Sequence, residues 1–129
     1  MKGRVLVVED NAANLELLSD WLESEGYTVR SATTLQEAYT SFTDPLPQIV
    51  LLDVQLGADD GLSLLEWLRK QPKLREIPVV AVTAHAMVTD HARMLECGCN
   101  GCVSKPIDFK ALTVHLDRWL PLAAKHPDN

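Results

Sequence analysis

Val5-Leu6-Val7-Val8-Glu9-Asp10-Asn11 reads as a strand that ends abruptly in charge. A continuous apolar run with β-branched residues, too short for a helix, suits a strand covered on both faces. The period then changes. Leu15, Leu18 and Leu22 make one apolar stripe at helical spacing within residues 11–25, and Gly26 closes that helix.

The same alternation continues along the chain. Residues 27–31 alternate like a strand with one wet face, and 34–42 read as a second helix with Thr33 or Thr34 as N-cap and Glu37 in its first turn. After the break at Asp44-Pro45-Leu46-Pro47, Ile49-Val50-Leu51-Leu52 is a second buried strand that ends at Asp53. A loop over 57–61 leads to a helix over 62–70, a strand over 77–82, a helix over 87–96 closed by Gly98, a short strand at Cys102-Val103 and an amphipathic helix over 107–120. Five strand–helix units with strands buried on both faces predict an α/β fold, a parallel sheet covered by helices. Right-handed crossovers leave few topologies, and five units fit the flavodoxin-like, doubly wound (βα)5 order 2-1-3-4-5. The expected domain covers residues 1–122, with 123–129 a flexible tail.

The 129 residues suit one domain, and a net charge of −6 with pI about 5.1 argues against general nucleic-acid or anionic-membrane binding. No apolar run approaches the roughly 18 residues of a spanning helix. The start, Met1-Lys2-Gly3-Arg4, does not resemble a signal peptide, so a cytoplasmic protein with reduced Cys97, Cys99 and Cys102 is expected. Their C-x-C-x-x-C spacing offers only three thiols, on segments expected to hold them apart, so they read as small hydrophobes rather than a zinc site.

The residues that follow the buried runs carry the chemistry. Glu9 and Asp10 follow the first strand, Asp53 ends the third, Thr83 follows the fourth, and Ser104-Lys105-Pro106 follow the fifth. In a parallel sheet these ends share one edge, where ligands bind. Each has a plainer reading, as a cap or a surface charge, but their convergence favours a site. Three clustered carboxylates raise one another's pKa, and a hard cation relieves them. Mg²⁺ takes one or two carboxylates and leaves positions for water and phosphate oxygen. Asp10 and Asp53 are the expected direct ligands, Glu9 acts through water, and the backbone carbonyl of Gln55 completes the set. Asp53 is then the best-placed nucleophile, forming an aspartyl-phosphate. Lys105 and the Thr83 hydroxyl neutralise phosphoryl oxygens. Lys105-Pro106 is a candidate cis peptide that aims the ammonium inward.

The set Glu9-Asp10, Asp53, Asp60-Gly61, Thr83-Ala84 and Lys105-Pro106-Ile107-Asp108 resembles the receiver domain of two-component response regulators, over residues 4–120. The resemblance implies phosphotransfer from a phosphohistidine, Mg²⁺ dependence and slow self-dephosphorylation. It also implies a switch on the face formed by the last strand and the helices flanking it. The partners implied are a histidine kinase or histidine phosphotransfer protein, and a downstream protein on that face. The ending Arg118-Trp119-Leu120-Pro121 resembles receivers fused to hybrid kinases. With no output domain expected after residue 120, the chain acts through partners, free-standing or as part of a larger kinase.

The chain departs from the family at several positions. Cys102 stands where the family has a switch aromatic, and Gly57 where it has a loop proline. Gln55 and His85 occupy the variable positions that border the phosphoryl group and tune its hydrolysis. On helix 1, Asn14, Leu17 and Trp21 form a second stripe, read either as packing or as a docking patch for a phosphohistidine helix bundle.

Two other classes lack their defining residues here. An aspartate-nucleophile phosphatase wants an acid two residues after the nucleophile, where this chain has Gln55. A dinucleotide binder wants a G-x-G-x-x-G loop, and none occurs. The expectation is therefore a phosphoacceptor that assists its own phosphorylation and dephosphorylation rather than an enzyme. Its serious rival is a receiver-like interaction module that is never phosphorylated.

Overall fold

The computed structural model describes residues 2–56, 59–84, 92, 96 and 98–120. The elements are β1 (Gly3–Val8), α1 (Ala12–Ser24), β2 (Tyr27–Ala32), α2 (Leu35–Tyr39), β3 (Ile49–Asp53), β4 (Gln55–Leu56), β5 (Asp59–Asp60), α3 (Leu62–Lys70), β6 (Val79–Thr83), β7 (Gly101–Ser104) and α4 (Phe109–Trp119). The large sheet is parallel, in the order β2-β1-β3-β6-β7. Counting its five strands in chain order gives the expected 2-1-3-4-5. β4 and β5 form a separate antiparallel pair.

Strand side chains alternate between faces, so each strand feeds two cores. Leu6, Val8, Val50, Leu52, Val79 and Ala81 pack with Ala38 of α2 and Leu62, Leu64, Leu65 and Leu68 of α3. Val5, Val7, Ile49, Leu51, Val80 and Val82 pack with Leu18 and Leu22 of α1 and Leu112 and Leu116 of α4. Each fully buried aliphatic side chain contributes about 1.5–3 kcal/mol, which fixes which helix covers which face.

The strand ends are level. Val8 lies opposite Leu52, Asp53 opposite Val82, and Thr83 opposite Ser104. The residues just beyond β1 and β7, Glu9 and Lys105, therefore reach the same edge as Asp53.

Several boundaries differ from the sequence expectation. The second helix ends at Tyr39, not Phe42. The Thr40 and Ser41 hydroxyls donate back to the Glu37 carbonyl, and the Arg30 guanidinium draws the Ser41, Thr43 and Pro45 carbonyls away from helical geometry. Asp44-Pro45 is cis. Part of the expected 57–61 loop is strand, since Asp59 and Asp60 pair with Leu56 and Gln55. Ile77 belongs to a turn, not to β6: its N–H donates to Leu74, and its carbonyl accepts from Arg69. The last helix starts at Phe109 because Asp108 caps it, accepting from the Lys110 and Ala111 amides. Gly57, His85, Cys97, the 123–129 tail and all but residues 92 and 96 of the expected 87–96 helix lie outside the described residues. Among the described residues no helix is long and apolar enough to cross a membrane.

Candidate phosphoryl and cation site

Glu9 leaves β1 buried, 1% exposed, while Asp10 beside it is exposed. Asp53 ends β3 at 6% exposure. The two buried carboxylates share one cation: Lys105 Nζ lies 2.8 Å from Glu9 Oε1 and 3.0 Å from Asp53 Oδ2. The remaining oxygens meet backbone donors. The Asn11 amide donates to Glu9 Oε2 at 3.2 Å, and the Gln55 amide donates to Asp53 Oδ1 at 3.0 Å.

The local sequence builds this geometry. Asn11 accepts the Asn14 amide at 3.0 Å and so caps α1 one residue after Asp10. Gly61 presses on the Asp53 backbone, where a Cβ would stand 2.5 Å from the Asp53 carbonyl oxygen. Its amide donates to the Val54 carbonyl at 2.7 Å. The Lys105 amide donates to the Thr83 carbonyl at 2.8 Å, tying the end of β7 to β6, and Lys105-Pro106 is cis.

The electrostatics follow from burial. Glu9 is pushed up to about 6 from an ordinary 4.5, first by burial and then by the Asp53 carboxyl; Lys105 and the Asn11 amide oppose the rise. Burial pulls the Lys105 ammonium down, but Glu9 and Asp53 outweigh it and hold the group above the ordinary lysine value.

One carboxylate oxygen from each of Glu9, Asp10 and Asp53 falls within 4.8 Å of the others. An all-oxygen donor set, with one member already pushed toward its neutral form, suits a hard divalent cation.

A cleft of about 280 Å³ opens over these groups, lined by Glu9, Asp10, Asn11, Asn14, Asp53, Gln55, Ala84 and Lys105. The structure thus brings Glu9, Asp10, Asp53, Gln55 and Lys105 together. Gln55 lines the wall with its amide turned to Asp53. Thr83 sits at the expected strand end but is only 2% exposed, and its neighbour Ala84 lines the wall.

The helix 1 stripe divides. Trp21 stacks on Phe109 of α4 with ring centroids 4.8 Å apart; Leu17 is 51% exposed; Asn14 lines the cleft. Sequence reading missed Asn11 and Ala84 as cleft residues. An asparagine placed just before a helical pattern was the available signal for Asn11.

Cys102 is half-buried on β7 and packs against the core shared with α2 and α3. Its thiol is pushed up, first by burial and then by Cys99. Burial likewise pushes up the Cys99 thiol, which donates to the Gly101 carbonyl. Among the described residues the acidic trio is the metal-competent cluster found.

Comparison with known proteins places this geometry among relatives. The response regulator receiver domain family model matches residues 5–117. The polar-differentiation response regulator DivK of Brucella ovis is 42% identical over 108 residues, spanning 83% of this chain and 87% of that protein. The signal receiver domain of a signal transduction histidine kinase from Syntrophus aciditrophicus superposes with TM-score 0.83 at 34% identity, over 92% of this chain and 90% of that one. The receiver domain of a Pseudomonas aeruginosa sensor histidine kinase superposes with TM-score 0.81 at 30% identity, over 92% and 98%. That structure is described with a magnesium ion coordinated in its active site cleft.

Proposed function

This chain belongs to the response regulator receiver domain family, and on that premise we propose that it accepts a phosphoryl group from a phosphohistidine donor onto Asp53. The observation that carries the reading is the Lys105 ammonium held between the Glu9 and Asp53 carboxylates, with Asp10 lining the same cleft.

In the transfer, the N–P bond of the donor breaks as a P–O bond forms to an Asp53 carboxylate oxygen. The imidazole departs with the electron pair. The Gln55 amide fixes the carboxylate's orientation. Lys105, held at Asp53, is placed to neutralise one phosphoryl oxygen, and Thr83, at the end of the neighbouring strand, is assigned the role of hydroxyl donor to another. Positioning and charge neutralisation, rather than acid–base chemistry, are what phosphoryl transfer demands. A Mg²⁺ ion held by Glu9, Asp10, Asp53 and the Gln55 carbonyl would neutralise charge between carboxylates and phosphoryl group. The magnesium in the Pseudomonas relative supports that assignment.

The same residues return the phosphoryl group to water, so the chain assists its own resetting without a substrate of its own. Its proposed partners are a histidine kinase or phosphotransfer protein and a downstream protein. A relay role, with Asp53 passing the group onward, suits a chain whose Cys102 packs into the core where the family places a mobile aromatic.

That same cysteine favours the rival reading, an interaction module that is never phosphorylated. One experiment separates them. Incubation with acetyl phosphate and Mg²⁺, followed by intact mass, gives a single phosphoryl adduct in the parent and none in Asp53→Asn. An unmodified parent, or an adduct that survives the substitution, would remove the phosphoacceptor reading.

A further inference from the structure

We propose that the Asn14 carboxamide is a positioning residue for the group that stands in line with Asp53: the donor's imidazole during transfer, and water during hydrolysis. The inference rests on Asp53 being the phosphoacceptor and adds a determinant of donor preference and phosphoryl lifetime.

Asn14 lies in the first turn of α1, half-buried, and lines the cleft with Glu9, Asp10, Asp53 and Lys105. Its neighbours are committed. Glu9 and Asp53 hold Lys105, and the Asn11 carboxamide oxygen caps the helix by accepting the Asn14 backbone amide. Among the described residues the Asn14 carboxamide itself makes no hydrogen bond within the protein. A half-buried amide with two N–H donors and an acceptor is thus presented to the cleft.

Asp53 is 6% exposed, so the apical group opposite its attacking oxygen enters through the cleft that Asn14, half-buried, helps to line. The carboxamide oxygen accepts a ring N–H from a phosphohistidine, or an O–H from water. In hydrolysis the water oxygen bonds to phosphorus, the bond to Asp53 breaks with its electron pair returning to the carboxylate, and the water's proton leaves to solvent. Being neutral, the amide adds no repulsion toward the incoming phosphoryl group.

The test compares the parent with Asn14→Ala and Asn14→Ser, using two small donors with Mg²⁺: phosphoramidate, which has a nitrogen leaving group with N–H, and acetyl phosphate, whose leaving group has no donor. Losing one neutral hydrogen bond corresponds to about two- to tenfold in rate. Asn14→Ala is expected to slow phosphoramidate loading and adduct decay by that factor. Acetyl phosphate loading falls by less, because its leaving group offers no N–H to the lost acceptor; Mg²⁺ affinity and thermal midpoint stay at parental values, and Asn14→Ser, which keeps an acceptor, recovers part of the loss. Parental decay and phosphoramidate loading in Asn14→Ala overturn the assignment, as does equal loss with both donors. A parent that forms no Asp53 adduct overturns the phosphoacceptor reading and this inference with it.

Discussion

Lys105 Nζ stands 2.8 Å from Glu9 Oε1, and that carboxylate is 1% exposed. A buried carboxylate this close to a half-buried ammonium depends on it: removing one partner of such a pair leaves a charge that burial disfavours. In Lys105→Ala, Glu9 escapes by taking a proton more readily, so the expected cost is about 1–3 kcal/mol rather than the full penalty for a stranded ion. Added Mg²⁺ should recover more stability in the variant than in the parent, because the ion then replaces the missing cation. Phosphorylation by acetyl phosphate should fall about 10²–10³-fold, the scale for losing one preorganised charge stabiliser. Urea unfolding with and without Mg²⁺, alongside loading rates, checks all three; parental loading in the variant would deny Lys105 its role.

Gly61 is fixed by space. A Cβ there would stand 2.5 Å from the Asp53 carbonyl oxygen and 3.0 Å from Val54 Cα, and both are backbone atoms that cannot swing aside. Gly61→Ala should therefore move Asp53 itself. A destabilisation of about 1–3 kcal/mol is expected, with a fall in loading rate beyond what the unfolded fraction explains. If activity per folded molecule is unchanged, the close approach is structural only.

Glu37 gives a pH signature remote from the cleft. Its Oε1 accepts from the Thr33 amide and the Thr33 hydroxyl, each at 2.7 Å, while its own amide donates to Thr34 Oγ1 at 3.0 Å. These donors, the Thr33 amide foremost, hold its carboxyl below the ordinary 4.5. A depressed folded-state value means the contribution is fully present above the unfolded pKa and is lost as pH falls through the folded one. Glu37→Ala should lower the thermal midpoint at pH 7, and the gap to the parent should narrow as pH drops below 4.5. A gap that stays constant down to strongly acidic pH would deny the carboxylate its capping role.

Much of the site was legible because charge follows apolar runs at strand ends and a parallel sheet aligns those ends. Glu9, Asp53 and Lys105 needed only that argument. Asn14 did not follow from it: helical spacing groups it with Leu17 and Trp21, yet the three meet cleft, solvent and Phe109 respectively. Spacing gives a face of a helix, while its tilt against the sheet decides what each residue on that face meets. The early end of α2 and the late start of β6 were hidden for another reason. Both depend on arginines, Arg30 and Arg69, that reach across the fold to backbone carbonyls, and no local pattern encodes such contacts.

Arg69 has a consequence of its own. Its guanidinium donates to the carbonyls of Gly98, Arg75 and Ile77 and to Asn100 Oδ1, and that same oxygen accepts the Val79 amide. One side chain thus ties the end of α3 to the starts of β6 and β7. Arg69→Ala should cost about 3 kcal/mol, since several carbonyls lose a charged donor together. Amide exchange should quicken at Val79 and Asn100 well before it does at β1. Uniform protection loss across the sheet would show that the arginine adds only general stability.

Leu17 separates docking from packing. It is 51% exposed on α1, one turn beyond Asn14, whereas Trp21 on the same stripe is held against Phe109. A solvent-facing leucine contributes little to folding, so Leu17→Asp should shift stability by no more than about 0.5 kcal/mol. A charge placed there should nonetheless oppose an apolar partner surface. The expected outcome is a split. Loading from acetyl phosphate stays at the parental rate because the cleft is untouched, while transfer from a phosphorylated histidine kinase or phosphotransfer domain weakens through a higher KM. Trp21→Ala is the contrasting control, since it removes a packed ring and should lower stability by about 1–3 kcal/mol. If Leu17→Asp receives the phosphoryl group from its protein donor at the parental KM, the partner docks elsewhere, and the leucine is an ordinary exposed side chain.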